Sequence, residues 1–226
     1  MTQLSPRFDS AARFREALDF VARVHAGQIR KSTDIPYIAH LLGVASIAIE
    51  YGADETEAVA ALLHDAAEDH GGAEMLERIK ELFGGEVAAI VDGCTDTYED
   101  PKPSWPERKA KYIAHLRSAT PSVRLVSGAD KLHNARSILM DYRAHGDAVF
   151  DRFKEKSKFS ILWYYRALAR EFMDADPNPL AQELRRVVAE IEQLATARLA
   201  AGELTAKDRT DREMDAMIKR FAVDHP

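Results

Sequence analysis

The stretch Leu62-Leu63-His64-Asp65-Ala66-Ala67-Glu68-Asp69 puts an imidazole and three carboxylates within six residues, directly after the small apolar run Ala58 to Leu63. Apolar recurrence there predicts a helix, on which residues four apart share a face. His64 then lies beside Glu68, and Asp65 beside Asp69. Three carboxylates this close repel one another unless something positive sits among them. A divalent ion meets that need. His64 and Asp65 offer nitrogen and oxygen ligands, and Glu68 and Asp69 stand where carboxylates could work on a water. A run of acids is also the ordinary mark of a solvated helix face, so the chemical reading needs partners from elsewhere in the chain.

Two candidates stand on other predicted helices. His40 follows Pro36-Tyr37-Ile38-Ala39 on a mostly apolar helix, where the bland alternative is a core histidine. Asp130 follows Leu125-Val126-Ser127-Gly128-Ala129. A carboxylate buried there is costly unless it is paired or binds a metal, and an ion pair with Lys131 or Arg136 is the alternative. His40, His64, Asp65 and Asp130 together make a nitrogen-oxygen set suited to Mn2+ or a similar ion. No thiolate takes part, unlike a structural zinc site. His25 and His133 read as supporting or packing histidines, and His70, His115 and His145 receive no role.

The elements that must position these groups read as helices throughout. Ser10 is placed to cap a helix running to about His25, closed by Gly27. A basic loop, Gln28 to Ile35, precedes a helix from about Tyr37 to Tyr51. Asp54 caps the helix bearing the acidic motif, and further helices cover about Ala73–Phe83 and Glu86–Cys94. Thr95 to Pro106, with three prolines, reads as a loop. Helices resume at Arg108–Leu116 and from Pro121 toward Leu139, then as one amphipathic stretch from about Ala148 to Asp174. Asp176-Pro177-Asn178-Pro179 is a turn before a helix to about Ala200, followed by a charged tail from Gly202. No alternating strand pattern stands out, so the expected fold is all-α: a helical bundle over residues 1–175, with 176–226 as a C-terminal helical extension packing on or extending it.

Composition narrows the function. With 226 residues the chain is long enough for a sizeable core. A net charge of -6 argues against a general nucleic-acid binder. The single cysteine, Cys94, excludes an internal disulfide framework and fits a reducing compartment. There is neither a secretory leader pattern in Met1 to Phe14 nor an apolar run of bilayer length. The expectation is a cytoplasmic protein with no membrane and no nucleic-acid partner, its oligomeric state left open.

The residues match a family. The sequence resembles the hydrolase domain of RelA/SpoT-type alarmone enzymes, within the HD phosphohydrolase superfamily. The resemblance rests on His25-Ala26-Gly27-Gln28-Ile29-Arg30-Lys31-Ser32, Pro36-Tyr37-Ile38-Ala39-His40, the motif from Leu62 to Asp69, Phe83-Gly84, Val91-Asp92-Gly93-Cys94-Thr95, and Ala129-Asp130-Lys131-Leu132-His133-Asn134-Ala135-Arg136, in order across about residues 10 to 140. It implies an HD-domain bundle in which His40, His64, Asp65 and Asp130 hold the metal, usually Mn2+. Glu68 and Asp69 position and deprotonate the attacking water. By the same resemblance Arg30 and Lys31 would lie along the purine and its phosphates, Asn134 would contact the nucleotide, and Ser137 stands where the family often has a threonine near the sugar. Trp163-Tyr164-Tyr165, Tyr165 among them, looks like the aromatic element that closes a nucleoside pocket.

No room for a synthetase domain follows Pro179, so the resemblance implies a stand-alone small alarmone hydrolase, removing the 3′-pyrophosphate from ppGpp or pppGpp. Rival readings are an HD phosphohydrolase acting on adenine alarmones, NADPH or another nucleotide, a nucleotide-binding module without turnover, and a purely structural helical protein. Three departures from the family pattern stand out: Lys131 in place of arginine, Thr33-Asp34-Ile35 in place of a glycine-containing turn, and Thr95-Asp96-Thr97 in place of Thr-Lys-Leu. They put the base preference in question, not the metal site.

Overall fold

Asp54 opens the helix around which the N-terminal helices gather. Its carboxylate accepts from Glu57 N at 2.9 Å, and Glu57 Oε2 accepts from Asp54 N at 3.0 Å. This reciprocal capping box starts α3 (Glu55–Leu63), in which every residue from Ala58 to Leu63 is fully buried. A helix apolar on all sides belongs at the centre of its neighbours. Here α1 (Ala12–Val24), α2 (Ile38–Glu50) and α6 (Gly85–Cys94) pack against it. Ala58, Ala60 and Ala61 let them approach closely, while full burial of Leu62 and Leu63 stabilises the packing by about 1.5–3 kcal/mol each.

The computed structural model describes residues 11–98, 101–153, 157–197, 199 and 201–224. The cap expected at Ser10 lies outside them. The fold is all-α. Among the described residues there is no strand, and the one departure from helix-and-loop structure is an isolated antiparallel bridge between Ile29 and Pro36. No helix among them is long and apolar enough to cross a membrane.

Two compact units divide the chain: Met1–Tyr98 with Thr120–His133, and Glu99–Ala119 with Asn134–Pro226. The first holds α1 to α3, α4 (Ala66–Asp69), α5 (Gly72–Phe83) and α6. The long α8 (Pro121–His145) gives its first half to this unit and its second half to the other. Gly93 admits α8 closely, since a methyl there would meet Val123 Cγ2 at 2.6 Å.

In the second unit α9 (Lys158–Ala175) packs against α7 (Trp105–Leu116), α10 (Pro179–Thr196), α11 (Ala201–Asp224) and the 3-10 helix Gly146–Arg152. Ser157 and Asn178 cap α9 and α10 through Ser160 N and Ala181 N. The buried Glu171 is held by Arg117 at 2.8 and 3.2 Å.

Three expectations change. Residues 55–69 form two helices, not one, because the chain breaks at His64-Asp65. The stretch from Ala148 to Asp174 is split into the 3-10 helix and α9, with Phe153 in extended conformation between them. The tail after Gly202 is helical: Met214 and Ile218, one turn apart, are buried, Asp215 accepts from Trp163 Nε1 at 2.9 Å, and Asp211 pairs with Arg166 at 2.6 Å.

Replacing Asp54 by Ala removes the carboxylate half of the capping box, and the expected cost is about 0.5–2 kcal/mol. Urea unfolding of Asp54→Ala should show a lower midpoint with an unchanged slope. An unshifted midpoint would mean the box contributes nothing.

Candidate metal centre

The break between α3 and α4 places the site. His64 ends α3 with φ -55° and ψ -32°, and Asp65 follows at φ -96° and ψ -6° before α4 begins. Asp65 thus sits in the sparsely used bridge region. The buried side chain of His64 turns back on its own helix, so that Nδ1 lies 2.9 Å from Ala61 O. A carbonyl only accepts, so Nδ1 carries the proton. His64 Nε2 then faces inward, 3.1 Å from Asp65 Oδ2 and 3.7 Å from Asp130 Oδ1. It lies within ion-pair range of both yet makes no aligned hydrogen bond.

Two other helices complete the cluster. α2 brings His40, whose Nε2 is 3.2 Å from Asp130 Oδ1 and 3.4 Å from Asp65 Oδ2. α8 brings Asp130. His40, His64 and Asp65 offer ligand atoms all within 4.8 Å of one another. The four residues singled out in the sequence are therefore brought together. His40, His64 and Asp130 are sealed in, at 2, 3 and 8% side-chain exposure, while Asp65 is 23% exposed. The cluster opens to solvent on the Asp65 side.

The electrostatics of the cluster follow from burial and close pairing. Burial works against the charged forms, but the nearby His64 and then His40 imidazoles hold the Asp65 carboxyl well below its usual range. For Asp130, Lys131 and the same imidazoles outweigh burial in the same direction. Burial would lower the His64 pKa, yet Asp65 and Asp130 push it well above its usual value. Two imidazole nitrogens, that of His64 buried and unaligned, and two carboxylates suit a divalent ion of intermediate hardness. Cys94 is not among the clustered ligand atoms, and burial pushes its thiol up to about 12.

The ion-pair alternative for Asp130 also holds, on its other oxygen: Lys131 Nζ is 2.6 Å from Oδ2. Arg136 pairs with Glu183 instead. Sequence reasoning missed Tyr37, whose hydroxyl donates to Asp65 Oδ2 at 2.5 Å. Burial, then Asp65, raises its pKa, so it remains a donor.

Glu68 and Asp69 follow on α4. Glu68 is half-buried, and its Oε2 accepts from Asp96 N at 3.4 Å. Asp69 is exposed, and its Oδ2 accepts from Gln28 Nε2 at 2.8 Å. Gln28 Oε1 lies 2.7 Å from both His25 Nδ1 and His70 Nε2. A carboxylate accepts, so the amide nitrogen faces Asp69 and both imidazole nitrogens donate to the amide oxygen. His70, given no role from the sequence, is part of what orients Gln28. The signal was the Gln28 position itself, which loop composition does not reveal.

The remaining expected residues lie as follows. Arg30 N bonds Ile35 O at 2.9 Å next to the Ile29–Pro36 bridge, and Lys31 is exposed at the turn. The left-handed position of that turn is Ser32, at φ 57°, where glycine would be the unstrained choice. Asn134 and Ser137 follow Asp130 at i+4 and i+7 on α8, both half-buried. Tyr165 lies in the second unit, buried edge-on against Tyr164. It lines an apolar cavity with Ile138, Phe150 and Ile161. Its neighbours Trp163 and Tyr164 are core rings there too, and Lys109 lies over the Tyr164 ring.

A family model described as HD domain matches residues 17–156. The human guanosine-3′,5′-bis(diphosphate) 3′-pyrophosphohydrolase MESH1 is 39% identical over 132 residues, 57% of this chain and 70% of that protein. A probable GTP pyrophosphokinase of Mycobacterium leprae is 41% identical over 126 residues, 55% of this chain, and the chain spans only 16% of that relative's length. The solved structure of a metazoan SpoT ortholog, described as hydrolysing ppGpp, superposes with a TM-score of 0.65 at 24% identity, covering 80% of this chain and 96% of that one, a likeness of fold. With more than half of its length matched by the family model, and with a His-Asp pair at the centre of a buried donor cluster, the chain belongs to the HD domain family.

Proposed function

We propose that this protein is a Mn2+-dependent hydrolase that removes the 3′-pyrophosphate from guanosine alarmones, converting ppGpp or pppGpp to GDP or GTP plus pyrophosphate. The observation that carries the reading is the convergence of His40, His64, Asp65 and Asp130 from three separate parts of the chain, with two further acids one turn beyond Asp65. The similarity to the human enzyme, which its name describes as a pyrophosphohydrolase of this kind, supplies the substrate class.

His40 and His64 through Nε2, with Asp65 and Asp130, would hold the ion. When bound, it supplies Lewis acidity toward the attacked phosphate and eases ionisation of water. The chain's own groups do the rest. Water oxygen bonds to the phosphorus attached to the 3′-oxygen, and the bond from that phosphorus to the 3′-oxygen breaks. Glu68 or Asp69 takes the water's proton, and a proton from solvent converts the departing 3′-oxygen to the ribose hydroxyl. Gln28 restrains Asp69, and Tyr37 restrains Asp65. Arg30 and Lys31 offset the charge of the pyrophosphate group, while Asn134 and Ser137, spaced to share the Asp130 face of α8, contact the nucleoside. The open Asp65 side gives the substrate its approach.

A panel of ppGpp, pppGpp, ppApp and NADPH, incubated with Mn2+ and resolved by product, tests this. Pyrophosphate release from the guanosine alarmones is expected, and turnover of NADPH alone would overturn the substrate assignment. Asp65→Ala should be folded, metal-poor and inactive. Glu68→Gln and Asp69→Asn should keep one ion while losing about 10²–10⁴-fold in kcat. Full pyrophosphate release by Asp65→Ala would defeat the site assignment.

Ion binding should also release a proton. The carboxyls are held low and so are already ionised at pH 7, whereas His64 is held high and is protonated there without the ion. Each Mn2+ bound at pH 7 should therefore displace about one proton. Affinity should fall as pH drops below the raised His64 pKa. Calorimetry in buffers of different ionisation enthalpy reads this directly, and zero release would contradict the charge state derived for His64.

A further inference from the structure

His133 lies one turn beyond Asp130 on α8 and has no part in the mechanism above, yet its ring is held against His40. The two Nδ1 atoms are 2.9 Å apart, and the ring centroids are 4.8 Å apart. A second feature makes room for this contact. Gly43, on α2 one turn after His40, faces the His133 ring so closely that a methyl built there would overlap both Cδ2 and Nε2. Any side chain at that position would push the imidazole away.

The hydrogen bond has a direction. His40 Nε2 faces Asp65 and Asp130, and to ligate a cation it must present a lone pair. The neutral His40 ring then keeps its proton on Nδ1. Nδ1 of His133 must be the acceptor, with its own proton on Nε2. Ligating histidines usually donate their second nitrogen to a carboxylate or carbonyl. His64 follows that habit through Ala61 O, whereas His40 has an imidazole in the place of the oxygen. A neutral acceptor fixes the ring without adding a further negative charge beside two buried carboxylates.

We propose that His133 is the positioning residue for His40, accepting the Nδ1 proton so that Nε2 is locked toward the cation site, and that Gly43 is the small residue that admits the His133 ring. This rests on the reading of His40 as a metal ligand. The consequence is a graded loss of metal affinity. His133→Leu removes the acceptor at similar bulk and should weaken Mn2+ binding about 10–100-fold. His133→Asn keeps an acceptor oxygen close to where Nδ1 lies and should stay near wild type. Gly43→Ala should behave like His133→Leu, because it moves the ring rather than replacing it.

Mn2+ titration by calorimetry, with circular dichroism to check the fold, reads these outcomes, and His40→Ala serves as the reference. If His40→Ala binds Mn2+ as tightly as wild type, the ligand assignment itself fails. If His40→Ala is weakened while His133→Leu and Gly43→Ala are not, the ligand stands and the positioning role is overturned. Equal weakening by His133→Leu and His133→Asn would point to packing alone and also overturn it. Should the variants not fold, the wild-type protein loaded with diamagnetic Zn2+ decides. Nitrogen-15 NMR of the imidazoles should show the proton on His40 Nδ1 and a bare His133 Nδ1. The opposite arrangement would refute the proposal.

Discussion

Two carboxylates and two imidazoles share one nearly sealed point, and the rest of the first unit is arranged around what that costs. Asp130, His40 and His64 are almost wholly removed from water, and a buried charge is unfavourable unless matched at close range. The two carboxylates and the His64 imidazole match one another at close range, which raises the His64 pKa well above its usual value. A divalent ion held by these four side chains would supply a matching positive charge. The cluster is thus a weak source of stability and a strong source of specificity for a cation. It persists because the apolar packing of α1, α2 and α6 on α3 outweighs it.

That packing also explains the small residues. Ala58, Ala60 and Ala61 on α3 draw the neighbouring helices close, and Gly43 and Gly93 let α8 approach without a clash. Helices packed this tightly deliver ligands as rigid bodies. His64 is further fixed by its own Ala61 carbonyl, and His40 by the ring on α8. Each imidazole has one nitrogen committed to the protein, leaving the other for the ion. Burial, the main cause, lowers the His133 pKa to about 4.

Much of this was legible in the sequence, for physical reasons that also mark where legibility stops. Helix existence followed from apolar recurrence, from the Asp54 and Asn178 caps, and from the glycines Gly27, Gly52 and Gly84, all of which take positive φ. The acidic motif showed its chemistry because residue type and local spacing sufficed. The interruption at His64-Asp65 did not show, since neither residue breaks a helix by itself and the bend is imposed by long-range contacts to α2 and α8. Residues 201–224 read as a tail because charge dominates their composition. Met214 and Ile218 supply the apolar anchor, and the pairings of Asp211 and Asp215 are made across helices that no local window spans. Tyr37, Gln28 and His70 were overlooked for the same reason: each acts through partners distant in sequence.

Lys131 illustrates how a single departure acquires meaning from geometry. Adjacent helical residues do not face each other, so the side chain must fold back to reach its neighbour, and it does so with one nitrogen on Asp130 Oδ2 at 2.6 Å. An ammonium is a compact point charge, whereas a guanidinium presents a planar fork matched to both oxygens of a carboxylate. At this position the point charge engages one oxygen and leaves Oδ1 facing His40 and His64. It also sets a positive charge beside a carboxylate that burial would otherwise penalise. The same contact therefore orients the ligand oxygen and weakens its pull. In the proposed site, affinity for the ion would depend on that balance as well as on the four donors.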